Sequence, residues 1–191
     1  METFWFYFDL GFDHVLDLGG LDHFYFLVAL SLPFAFKNWK KLLLWVSLFT
    51  LGHSLSLVIS NFEWIKIDTT WVEFLIPVTI CITCLSILIH KQHTLLKGIW
   101  INLITLFFGL IHGFGFARYF KMITSKEEAI LSLLEFALGV EFAQILIVIF
   151  VLLINWVAIG LFKIQHLKWQ WIIAAMVLSQ AVLMTSNNWP F

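Results

Sequence analysis

Six runs of nearly uninterrupted apolar residues dominate this chain, at roughly 21–36, 41–60, 72–90, 98–117, 131–154 and 170–185. A hydrocarbon layer of ~30 Å is crossed by about 20 residues of α-helix, each rising about 1.5 Å. The runs lack the apolar–polar alternation of a membrane β-barrel. The chain therefore reads as an all-α polytopic membrane protein with about six transmembrane helices. Composition agrees. Of 191 residues, 61% are hydrophobic and 12% charged, against about 45–50% and about 25% in soluble domains. A soluble globule of this size cannot hide that much apolar surface, which excludes a soluble enzyme and a disordered chain. A net charge of −1 gives no basic face for nucleic acid. The expected partner is the lipid bilayer, with a protein partner or a second copy left open. The connecting stretches are short, so residues 1–191 read as a single transmembrane domain. Cys81 and Cys84 lie within one apolar run and read as small core residues rather than a disulfide framework.

Residues 3–18 are apolar and aromatic, yet Asp9, Asp13 and Asp17 recur every fourth position, which is one face of a helix. A charge at the bilayer centre costs several kcal/mol. The spacing thus predicts an interfacial or re-entrant helix over 1–20, ended by Gly19-Gly20, rather than a span. The segment has no basic n-region and reads as no cleavable signal peptide.

Lys and Arg set the orientation. With the N-terminus outside, the inner loops hold Lys37, Lys40, Lys41, Lys91, Lys97, Lys163 and Lys168, and the outer loops hold Lys66, Arg118, Lys121 and Lys126. That bias predicts both termini outside, in a bacterial inner membrane. Trp64, Trp71, Trp169, Trp171 and Trp189 fall near span ends, as an aromatic belt does.

Seven ionisable residues lie inside or beside the spans: His14, Asp22, His23, His53, Glu73, His112 and Glu141. Such groups are costly and mark function. Their depths agree. His53 lies ~18 Å along the second span and His112 ~21 Å along the fourth, both running outward. Glu141 lies ~15 Å down the fifth span. Asp22 and His23 open the first span and Glu73 the third, both on the outer side. Four histidines and up to three carboxylates thus share a band in the outer half. Imidazole with carboxylate, and no usable thiolate, suits a divalent transition metal: nickel or zinc foremost, with cobalt, copper and iron as further candidates. Carboxylates serve there as ligands or as acceptors for the His N–H. The bland reading is a set of helix-bridging hydrogen bonds, with Glu141 and Gln144 as a polar clamp. His90, His93 and His166 read as solvated loop residues. Gly109, Gly113 and Ala117, spaced four apart, form a small-residue stripe, expected to bring the fourth span against the fifth. Pro77 should kink the third.

Five segments, LDHFYFLVAL (21–30), FTLGHSLSL (49–57), WVEFLIP (71–77), FGLIHGFGFA (108–117) and LGVEFAQ (138–144), in this order resemble the HupE/UreJ family of membrane proteins over about residues 11–150. The resemblance implies a six- to seven-helix protein linked to nickel or related metals and described as a permease. By motif match it implies that His14, Asp22, His23, His53, Glu73, His112, Glu141 and Gln144 are the polar site positions. The chain departs from the family where a Glu-Asn pair is usual in the third span; Leu85 and Ser86 stand there.

The leading expectation is a divalent metal-ion permease or metal-binding membrane protein with its site in the outer half and no organic cofactor. The alternatives are a metal-dependent (zinc) intramembrane hydrolase, with Glu141 or Asp22 as general base, and an accessory membrane subunit. A permease needs a polar route on both sides of the ion, and the inward side offers only Thr79, Thr83 and Ser86. His53 and His112 are expected to act as co-ligands.

Overall fold

A computed structural model describes residues 2–17, 19–65, 68–89, 99–124 and 129–191; His90, His93, Lys66, Lys91, Lys97, Lys126, Glu127 and Glu128 lie outside the described residues. All regular structure among the described residues is helical: α1 (Glu2–Leu16), α2 (Asp22–Ser31), α3 (Trp39–Asn61), α4 (Thr69–Ile89), α5 (Ile99–Ile123), α6 (Ala129–Trp156) and α7 (His166–Asn187). A 3-10 turn (Phe36–Asn38) leads into α3, and a π-turn (Val157–Leu161) follows α6. Five of these stretches are long and apolar enough to cross a membrane: Phe36–Asn61, Thr69–Ile89, Ile99–Ile123, Ala129–Leu161 and His166–Asn187. Large apolar side chains such as Leu51, Leu55, Phe107, Leu138, Phe142 and Phe150 stand exposed along them. In water such a surface would aggregate; in a bilayer it faces lipid. We call the end where α3 and α5 finish the upper end, and the opposite end the lower.

The run at 21–36 yields α2, ten residues or ~15 Å, half a bilayer. Pro33 explains the stop, because it lacks an N–H and disfavours the helix before it. The Leu32 carbonyl is taken up by Gln170 Nε2 of α7 at 2.8 Å. At its other end α2 is cut from α1 by a turn, in which Gly19 N–H donates to Asp17 Oδ1 at 2.8 Å and Gly20 N–H to Asp17 O at 3.2 Å. Asp closes such turns with its own side chain.

Glycine sets which helices meet, and here the structure departs from the pairing expected for the stripe. A Cβ on Gly52 would run into Leu106 O, one on Gly109 into Phe49 O, and one on Gly113 into Ser56 Oγ and His53 O. The stripe therefore joins α5 to α3, not to α6. Close approach then positions His53 and His112, which flank these glycines. A second such contact joins α6 to α1, where Gly139 meets Phe8 O and Gly11 meets Phe136 O.

Pro77 sits inside α4. It cannot donate to the carbonyl four residues back. That carbonyl, Glu73 O, instead accepts Asn188 Nδ2 at 3.0 Å. This contact pins the segment after α7 to the proline break.

Candidate metal centre

The break between α1 and α2 leaves His14 in the last turn of α1 and Asp22-His23 in the first turn of α2. The α3–α5 contact brings His53 and His112 to the same place. His23 is central: its ring centroid lies 4.7 Å from that of His14, 5.5 Å from His53 and 5.2 Å from His112. His23, His53 and His112 are buried. Aromatic rings wall the cluster, with Phe136 beside His14 and His53, and Phe49 beside His23 and His112.

The polar atoms here do not balance. His23 Nδ1 meets Asp22 Oδ1 at 3.3 Å, and His112 Nδ1 lies 3.8 Å from Asp22 Oδ2, too far for a hydrogen bond. His14 Nε2, His23 Nε2, both nitrogens of His53 and His112 Nδ1 are buried without a hydrogen-bond partner among the described residues. A buried polar group left unpaired costs about 1–3 kcal/mol, and native proteins keep few of them. Five such nitrogens in one cluster form a donor set of the kind that suits a divalent transition metal.

Thr79 fixes one ring. Its hydroxyl donates to Ile76 O at 2.7 Å and lies 2.9 Å from His112 Nε2. A hydroxyl has one proton, so at the ring Thr79 is the acceptor and His112 Nε2 the donor. The His112 lone pair is then on Nδ1, facing Asp22. An outer hydrogen bond that sets tautomer and aim is typical of metal-ligating imidazole.

The ligand atoms fall into two groups of three, His14–His23–His53 and Asp22–His23–His112, each with its atoms within 4.8 Å of one another. Glu73 is not part of either; its side chain is exposed at the start of α4. Glu141 also stands apart. Ser47 Oγ donates to its Oε1 at 2.6 Å, Thr50 Oγ1 bonds its Oε2, and Thr50 Oγ1 lies 3.1 Å from Gln144 Oε1. That is a helix clamp between α3 and α6. Thr79, which the sequence places in an inward stripe, belongs to the cluster, and Glu135, outside the sequence's candidate set, is buried at 8% exposure in α6. The signal for Glu135 was available: a carboxylate within an apolar run.

Above the cluster, a cavity of about 450 Å³ is lined by Leu10, Asp13, His14, Leu16, Asp17, Phe116 and Tyr119. Below it, Phe26 stacks on Phe49 at 4.6 Å and touches Phe108 edge-on at 6.1 Å. Beneath these rings is a second cavity of about 180 Å³, whose polar lining includes Thr83, Ser86 and Thr105.

Fold and site together define a polytopic α-helical membrane protein with a buried histidine–carboxylate cluster. No curated protein and no solved structure matches the chain. The family described as HupE / UreJ protein matches residues 1–189, so the chain belongs to the HupE/UreJ family.

Proposed function

We propose that the protein is a permease for a divalent transition-metal ion, bound as cargo at the His14–Asp22–His23–His53–His112 cluster. The observation that carries this reading is the set of five buried imidazole nitrogens without partners. Imidazole with one carboxylate suits nickel, cobalt and zinc, and the family resemblance favours nickel or cobalt among them. Asp13 and Asp17 at the mouth of the upper cavity attract cations toward His14. The Phe26–Phe49–Phe108 cluster stands between the site and the lower cavity.

In this reading α1 and α2 act in series as one broken crossing, with the site at the break. Irregular backbone at membrane depth is tolerated where it lines such a site. The lysines at the lower end, Lys37, Lys40, Lys41, Lys163 and Lys168, support the reading that this end is cytoplasmic, in a bacterial inner membrane, with both termini outside. In a cysteine-free background, single cysteines at Asn38 and Asp68 should label from opposite sides. Labelling of the first from outside would reverse the orientation.

The decisive experiment is elemental analysis of protein purified without chelator, followed by uptake of Ni²⁺, Co²⁺ and Zn²⁺ into proteoliposomes. Near one equivalent of metal, with saturable uptake, is expected. Less than about a tenth of an equivalent, unchanged on reconstitution, removes the site. Bound metal with no flux leaves a metal-binding protein and ends the permease reading.

A further inference from the structure

We propose that the cluster is two overlapping stations for a single cation, His14–His23–His53 and Asp22–His23–His112, and that His23 passes the ion from the first to the second. This rests on the permease reading and adds to it the number of ions and their route.

The ligand atoms gather into two triads that share His23 alone. A neutral imidazole has one lone pair, on one nitrogen. His23 therefore ligates in one triad at a time. When its Nδ1 carries the proton, that proton faces Asp22, 3.3 Å away; the lone pair is then on buried, unpartnered Nε2 and serves His14 and His53. For the second triad the Nδ1 proton leaves by way of Asp22, whose side chain is 18% exposed, and an incoming proton takes the Nε2 position that the ion vacates; Nδ1 then joins Asp22 and His112. Filling both triads at once would require His23 as a doubly deprotonated bridge with two dications across it.

The surroundings give the stations an order. His14 lines the upper cavity with Asp13 and Asp17, so its triad is the one an arriving ion meets. The other triad is buried against Thr79 and against Phe26 and Phe49. The first station is built of three neutral rings, while the second includes a carboxylate, which a dication prefers in a dry site. The ion thus loads at the histidine station and settles at the Asp22 station, next to the aromatic closure.

The test uses Co²⁺ as probe on the detergent-purified full chain, reading stoichiometry by equilibrium dialysis and ligand set by the visible spectrum. Wild type should bind one Co²⁺. His53→Ala and His112→Ala should each still bind one, at least 10-fold more weakly, with two different spectra. Asp22→Asn should resemble His112→Ala, and His23→Ala should lose binding. Thermal melting checks each fold, and Gln replaces Ala wherever an alanine variant fails to fold. Two Co²⁺ in wild type, or loss of all binding in both His53→Ala and His112→Ala, would overturn the two-station arrangement while leaving a metal site. A wild type that binds no Co²⁺, Ni²⁺ or Zn²⁺ would instead sink the permease reading itself.

Discussion

Two polar clusters sit about one helical turn apart along α3, one buried and one reaching the surface at Ser47, and they balance their hydrogen bonds in opposite ways. Around Glu141, both carboxylate oxygens accept hydroxyl protons from Ser47 and Thr50, and Gln144 Oε1 lies 3.1 Å from Thr50 Oγ1 as a competing acceptor. Gln144 Nε2 is the atom left over there. Around His23, five ring nitrogens are left over. Both clusters contain a carboxylate and both join different helices. Residue type and depth alone do not separate them. The accounting of protons and lone pairs does: a carboxylate with both oxygens met by hydroxyls holds helices together, while a cluster with five unpartnered ring nitrogens has donor atoms to spare for a ligand.

That contrast can be broken experimentally. The largest effect is expected from removing one ligand from each triad: His14→Ala with His112→Ala should lower Ni²⁺ or Co²⁺ affinity more than about 100-fold, since a single lost supporting contact already costs about 10–100-fold. Equilibrium dialysis reads this, and a loss under 10-fold would mean that these rings are helix bridges. Next comes Thr79→Val, which leaves the ring of His112 in place but removes the acceptor for Nε2. Affinity should fall about 10-fold, and Thr79→Ser should restore it. Glu141→Leu sharpens the other side. It leaves two hydroxyls without their acceptor and should cost about 1–3 kcal/mol of stability in a thermal or denaturant melt, with metal affinity within about 2-fold of wild type. A 10-fold drop in affinity there would merge the two clusters into one site. Smallest is Ser47→Ala, at the exposed edge of the clamp, expected to cost about 0.5–1.5 kcal/mol and to leave metal binding untouched.

Much of the site was legible in the sequence because a bilayer makes ionisable residues expensive. His14, Asp22, His23, His53 and His112 stand out of apolar runs by composition alone, and helical rise gave His53 and His112 a common depth. Helical rise says nothing of azimuth. It could not tell that Glu141 turns toward Ser47 and Thr50, or that Glu73 faces outward. Nor could it show that His53 and His112 fall in different triads, although both flank the same α3–α5 contact. The glycine stripe showed that α5 has a close neighbour but not which one, because the complementary small residue on α3 is the single Gly52. Thr79 was legible only as a hydroxyl in α4; its role lies in a proton count at His112 that needs coordinates. The short α2 had a visible cause in Pro33, which the unbroken apolar run of 21–36 hid.

The broken helix also fixes an order of biogenesis. A translocating segment is released into lipid when it offers about 20 apolar residues, and α3 to α7 each meet that length. Neither α1, with 15 residues, nor α2, with 10, does so alone. Their packing partners are α6 for α1, and α4, α6 and α7 for α2, all later in the chain. The seat of α1 on α6 therefore exists only after most of the chain has been synthesised. His14, carried by α1, joins His53 and His112 only once α6 is in place, so the cluster completes late in the assembly of the bundle.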